Sequence, residues 1–223
     1  MSDWVDSADI GPVLPPGEPL WSHSFDTALG RCGVVWSELG IVASLLPDAT
    51  PARLKRRHPT AQLATELPPH IAHAVDGIRA LLAGEVRDLS DIALDERGIP
   101  EFRRQVHALT RAIPPGQTRT YGDIAAALGQ PGAARAVGRA EGDNPFPPIV
   151  PCHRVIGTPK PVASRQAPRG GQGNSGAARR CLAGAGDVLT GFSAPGGVET
   201  KRRMLLIEAR AVGQLAGDQQ PLF

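Results

Sequence analysis

The residue types best suited to chemistry in this chain cluster around Cys152. His153 and Arg154 follow it directly, and residues 145–151, PFPPIVP, precede it with four prolines in seven positions. Proline fixes φ, so the approach to Cys152 is expected to be extended and rigid. A thiol is a useful nucleophile only as the thiolate, and an adjacent imidazole and guanidinium favour that form. The alternative is a buried structural cysteine, a common state for a lone one, although two cationic neighbours suit it poorly. Successive side chains on an extended segment point to opposite faces, so a direct Cys152–His153 hydrogen bond is not required and a bridging water fits. A histidine base normally has a carboxylate orienting its other nitrogen. In ETKRRMLLIEARAV, Met204, Leu205 and Glu208 share one helical stripe, with Lys201 a turn earlier. A carboxylate on an apolar stripe must find a buried partner or lose its charge, which leaves both a histidine partner and a structural arginine pair open.

These side chains need elements to hold them. Phe102, Val106, Leu109 and Ile113 fall on one helical face, and Pro114–Pro115–Gly116 stops that helix. Thr120 and Asp123 form a capping box that opens the helix YGDIAAAL, which ends at Gly129. After the turn Gln130–Pro131–Gly132 a second helix, AARAVGRAE, runs to near Asn144–Pro145. Two short helices across a tight glycine-containing turn match a helix-turn-helix, a pattern shared by DNA readers and plain packed hairpins. Small residues such as Ala134 and Gly138 let the second helix approach another surface closely, with Arg135 and Arg139 projecting. Upstream, GVVWS and GIVASLL predict a β-hairpin within residues 25–46, and the basic stretch 51–58 a solvated face. Ile71, Val75, Ile78 and Leu82 predict a helix closed by Gly84. The organisation expected is a flexible tail (1–20), a small α/β domain (21–95), a mostly helical domain (96–212) and a C-terminal tail (213–223).

Composition narrows the function classes. Apolar residues make up 41% and charged residues 21% of 223, so a packed protein is expected rather than a disordered one. Tyr121 is the sole tyrosine, and 26 glycines with 22 prolines predict long irregular connections. No apolar run is long enough for a membrane span, and the acidic, proline-rich N-terminus does not resemble a signal peptide, so the cytoplasm is the expected compartment. Three cysteines, Cys32, Cys152 and Cys181, without paired spacing argue against a disulfide scaffold and a Cys-rich zinc site. Residues 1–99 hold 8 Lys/Arg against 14 Asp/Glu, whereas residues 100–223 hold 16 against 8. That division is either ordinary solvated charge or a second half that faces a polyanion.

The stretch IPPGQTRTYGDIAAALGQPGAARAVGRAEGDNPFPPIVPCHRVIG, with LTGFSAPGGVETKRRMLLIE later, closely resembles the O6-alkylguanine-DNA alkyltransferases. RAVG, NP and PCHRV in that order are highly specific, and the resemblance is strong over residues 95–158 and 187–212. It implies a ribonuclease H-like α/β N-terminal domain and a mostly α C-terminal domain with a winged helix-turn-helix-like DNA-binding fold. Cys152 would accept the alkyl group from O6 of a flipped-out guanine, and O4-alkylthymine is a further substrate to consider. His153 would deprotonate Cys152 through a water, with Glu208 holding the imidazole and Asn144 joining the network. Tyr121 would help rotate the target phosphate and contact the base, and backbone around Val155 and Ser193 would read its edge. The second helix, with Ala134, Gly138 and Arg139, would enter the minor groove of double-stranded DNA, and Arg135 would fill the gap in the stack. Arg154 would join the DNA-binding cations, and the basic second half would supply salt-sensitive attraction. The resemblance implies a monomer that acts once, with no cofactor and no metal. Cys32 alone does not support the zinc site of some relatives.

The chain departs from the family at residues 159–186. Where the family has a short turn, these 28 residues carry five Lys/Arg and no acidic or aromatic residue, and they are expected to be disordered. The insertion could be an inert loop, a phosphate-binding strap, or a segment that displaces Ser193. Phe192 stands where many relatives have tyrosine. A non-catalytic lesion binder, a helix-turn-helix regulator and a Cys–His hydrolase are the rival functions, although the first usually lacks the nucleophile.

Overall fold

In the computed structural model the described residues are 15, 17–47, 49–158, 189 and 192–213. The insertion at 159–186 and most of both tails lie outside them. The first half forms a four-stranded mixed sheet, order β3-β2-β1-β4, from β1 (Trp21–Thr27), β2 (Gly30–Trp36), β3 (Ile41–Leu45) and β4 (Gln62–Leu63). The predicted hairpin is β2–β3, antiparallel, and β1 adds an antiparallel neighbour that the residue pattern did not announce. Gly40, at the hairpin turn, has φ +151°, and a Cβ there would meet the Ala93 carbonyl oxygen at 2.6 Å. That close approach allows Ile41 to bridge to Leu94, and buried Asp95, held by Ser37 and Arg97, pins the same junction to the sheet. The basic stretch predicted as a solvated face is helix α1 (Pro51–Arg57), capped by Thr50 and anchored by buried Leu54. Helix α2 (Pro69–Ala83) buries Ile71, Val75, Ile78 and Leu82 and ends on left-handed Gly84, as its spacing predicts.

The second half is mostly helical: α3 (Glu101–Arg111), α4 (Tyr121–Ala127), α5 (Ala134–Gly142) and α6 (Gly197–Ala211). The capping box is present, since Thr120 Oγ1 accepts from the Asp123 amide while the Asp123 carboxylate accepts from the Thr120 amide. Helices α4 and α5 pack against one another and onto α3 around Val106, Ile113, Ile124, Val137, Ala140 and Val155. A short parallel pair, β5 (Arg119–Thr120) with β6 (Val155–Ile156), ties the start of α4 to the chain just after Cys152. The halves also share a core. Phe146, Ile149, Val150 and Met204 are buried in the cluster that contains Phe25, Trp36, Ile41 and Ile78. Among the described residues no helix is long and apolar enough to cross a membrane.

Candidate active site

The proline-rich run does not approach Cys152 as an extended strand. Proline fixes φ but leaves ψ free to turn, and the Asn144 side chain closes the turn from inside. Its Oδ1 accepts from the Phe146 amide at 2.9 Å, and its Nδ2 donates to the Val150 carbonyl at 2.8 Å. Cys152–Arg154 then forms a single 3-10 turn, so the expected alternation of faces does not apply. Cys152 is 7% exposed and His153 0% exposed.

The turn sends His153 to α6. Its Nε2 lies 2.8 Å from Glu208 Oε1, and its Nδ1 is buried without a hydrogen-bond partner among the described residues. A carboxylate can only accept, so Nε2 carries the proton and Nδ1 presents its lone pair. Burial lowers the imidazole's pKa, against the opposing pull of Glu208. Burial alone would raise the Glu208 carboxyl, but His153 and Arg154 outweigh it and hold it at about 2. Gly116 supplies a further donor, its amide reaching Glu208 Oε2 at 3.2 Å. This glycine has φ +75°, and a Cβ there would sit 2.6 Å from Val212 Cγ2, so the close approach depends on having no side chain.

Arg154 overturns two expectations. Its guanidinium turns inward, with Nε and Nη2 on the Glu208 carboxylate at 3.1 and 2.8 Å and Nη1 on the Ile113 carbonyl. A buried, fully engaged guanidinium is unavailable to DNA phosphates, and it stabilises the carboxylate rather than the thiolate. The thiol instead has its pKa pushed up to about 12, by burial first and then by the charge of Glu141. A hydrogen bond from Asn144 and the charge of Lys201 act in the opposite sense.

Lys201 and Glu141 are the polar groups that sequence reasoning did not place near the thiol. Lys201, 0% exposed, donates to the Val155 carbonyl at 2.7 Å, and its ammonium lies 5.8 Å from the Tyr121 ring centroid. Burial lowers its pKa to about 8. The predicted residues Tyr121, Asn144, Cys152, His153, Val155 and Glu208 are therefore brought together, although the Val155 carbonyl is already engaged. Ser193 is exposed and donates to the Gly142 carbonyl at 2.8 Å. On α5, Arg135 and Arg139 are exposed and Ala134 and Gly138 half-buried, while Val137, Ala140 and Glu141 face inward. Cys32 is buried on β2 beside Thr27 Oγ1.

Fold and site together define a class: a sheet-and-helix protein with a buried thiol, Cys152, a histidine–carboxylate pair beside it, and a pair of short helices packed across a turn above. A family model described as 6-O-methylguanine DNA methyltransferase, DNA binding domain, matches residues 101–179. A methylated-DNA–protein-cysteine methyltransferase of Mycolicibacterium paratuberculosis is 41% identical over 146 residues, 66% of this chain and 70% of that protein. One from Mycobacterium tuberculosis H37Rv is 54% identical over 84 residues, 38% of this chain and 50% of that protein. The crystal structure of Mycobacterium tuberculosis OGT in complex with DNA superimposes with a TM-score of 0.61 at 31% identity, covering 85% of this chain and 93% of that one. The chain belongs to the methylated-DNA–protein-cysteine methyltransferase family.

Proposed function

We propose that this protein repairs DNA by moving the alkyl group of O6-alkylguanine onto Cys152, once per molecule. The observation that carries the mechanism is the bare Nδ1 of His153, whose tautomer is set by the 2.8 Å contact of Nε2 with Glu208. The Cys152 proton passes to Nδ1 through one water, and the thiolate attacks the alkyl carbon in line with the departing oxygen. A sulfur–carbon bond forms as the carbon–oxygen bond breaks, and the leaving guanine takes up a proton. The negative charge of Glu208 stabilises the imidazolium formed on the way. Removing the alkyl group from the neutral thioether would require expulsion of an unactivated thiolate, so the thiol is not regenerated.

DNA is the partner. In our reading the duplex carries alkylated guanine, or O4-alkylthymine, and is bound through the minor groove by α5. Ala134 and Gly138 allow the close approach, Arg139 meets the backbone, and Arg135 fills the stack left by the flipped base. Tyr121, Val155 and Ser193 contact that base. We read residues 21–95 as a ribonuclease H-like domain and 96–212 as a winged helix-turn-helix-like catalytic domain, acting as a monomer in the cytoplasm. The exposure of Arg135 and Arg139 on the outer face of α5 supports this reading.

The test is intact-protein and peptide mass spectrometry after incubation with a duplex that contains one O6-methylguanine. A single methyl adduct on the Cys152 peptide, stoichiometric with repaired base, is expected. Cys152→Ala should lose transfer entirely and keep DNA binding. Tight lesion binding by the native protein without any adduct would replace the transferase reading with that of a lesion binder.

A further inference from the structure

Glu141 has no place in the mechanism above, yet its position is unusual. It lies on the inner face of α5 with 5% exposure. Thr110 Oγ1 of α3 donates to its Oε1 at 2.5 Å, while Oε2 is buried with no hydrogen-bond partner among the described residues. The titratable and charged groups around it come from three directions. Helix α3 brings His107, whose Nε2 contacts the Ala140 carbonyl, and Arg103, paired with Asp143. The turn brings Cys152, and α6 brings Lys201. Among these, Lys201 favours the charged carboxylate, and the charge of Glu141 in turn opposes that of the thiolate.

We propose that Glu141 is a positioning residue for the acceptor thiol: a buried carboxylate that, when ionised, restrains the ionisation of Cys152 through the electrostatic cluster Glu141–Lys201–Cys152. The proposal rests on Cys152 being the acceptor. A carboxylate with one oxygen satisfied and the other sealed from water has little to stabilise its charge. Burial accordingly raises its pKa to about 7, with Thr110 and Lys201 pulling the other way. Its charge therefore changes within the working pH range. As pH rises, the usual gain in thiolate is partly cancelled by the appearance of a second negative charge nearby. Transfer should then depend on pH less steeply than a single thiol would dictate.

The experiment compares native protein, Glu141→Gln and Thr110→Val between pH 5.5 and 8.5 by two readouts. One is the single-turnover rate of methyl transfer from an O6-methylguanine duplex. The other is the rate of iodoacetamide capture at Cys152, followed by peptide mass spectrometry, which reports thiol acidity without any transfer. Glu141→Gln should coincide with native below about pH 6 and run about two- to fivefold faster near pH 8 in both readouts. Thr110→Val keeps the carboxylate but removes its one donor, so its profile should flatten at higher pH than native. Superimposable profiles, or a shift by the same factor at every pH, would overturn the proposal, because a purely structural role predicts one of those. Should Glu141→Gln fail to fold, the Thr110→Val midpoint decides. Capture that behaves as expected while transfer is absent would sink the transferase reading and leave the electrostatic one standing.

Discussion

Two glutamates on the inner faces of helices meet opposite fates in this molecule. Glu208 of α6 and Glu141 of α5 are almost equally buried. Glu208 receives His153, the Arg154 guanidinium and the Gly116 amide. Glu141 receives one hydroxyl, from Thr110. The first is held ionised at about 2 and the second rises to about 7. Burial acts in the same sense on both, so the difference lies in the donors supplied. In a sealed site the count and charge of donors decide whether a carboxylate stays charged. The charged one holds the His153 imidazole, and the undecided one lies in the electrostatic surroundings of the Cys152 thiol.

The sharpest way to break this contrast is Glu208→Gln. It leaves the Arg154 guanidinium buried without its counter-ion and removes the anion behind His153. A loss of about 3–5 kcal/mol is expected, read by chemical denaturation at pH 7. Transfer should fall about a hundredfold or more in whatever fraction remains folded, as measured by single-turnover kinetics. The sign of the pH dependence follows from a folded pKa depressed from 4.5 to about 2. The contribution is complete above the unfolded value and lost as pH falls towards 2, so the variant should show a flatter acid limb than native protein.

Glu141→Gln should do the reverse. A carboxyl raised from 4.5 to about 7 costs stability once pH exceeds the unfolded value, and the full cost is reached above the folded one. The variant should therefore match native near pH 4 and gain about 1–3 kcal/mol by pH 8, seen as a higher Tm. Equal Tm differences at both pH values would remove the contrast between the two carboxylates. The smallest effect is assigned to Arg135→Ala, which touches neither carboxylate. It should slow repair of duplex DNA through weaker base flipping, yet leave Tm and the Cys152 capture profile in place. Movement of either would show that α5's outer face communicates with the thiol.

What could be seen in the sequence was local. The capping box Thr120/Asp123, the Gly84 stop and the α2 stripe each depend on residues within a turn or two, and all are present. For Glu208, 55 residues from His153, the apolar stripe demanded a partner and left a histidine and an arginine pair both open, and the structure supplies both. Arg154 went wrong for a related reason: adjacency along the chain gives no direction, and the 3-10 turn points its guanidinium inward. Glu141 did leave a signal. With Val137 and Ala140 it occupies an i, i+3, i+4 face, and Thr110 falls on the stripe of Val106 and Ile113. Two polar residues on facing apolar stripes implied a buried pair, but nothing local showed that the pair lies near Cys152.

The shared core has a consequence for cooperativity. Phe146, Ile149 and Val150, which lead directly into Cys152, complete the packing of strands and a helix from the first half of the chain. Each half keeps a smaller buried cluster of its own, but this shared cluster is incomplete in either half alone, so opening one exposes apolar surface on the other. The two should melt in a single transition, and a first half borrowed from a relative would have to bring a matching cavity for Phe146 before the thiol could be seated at all.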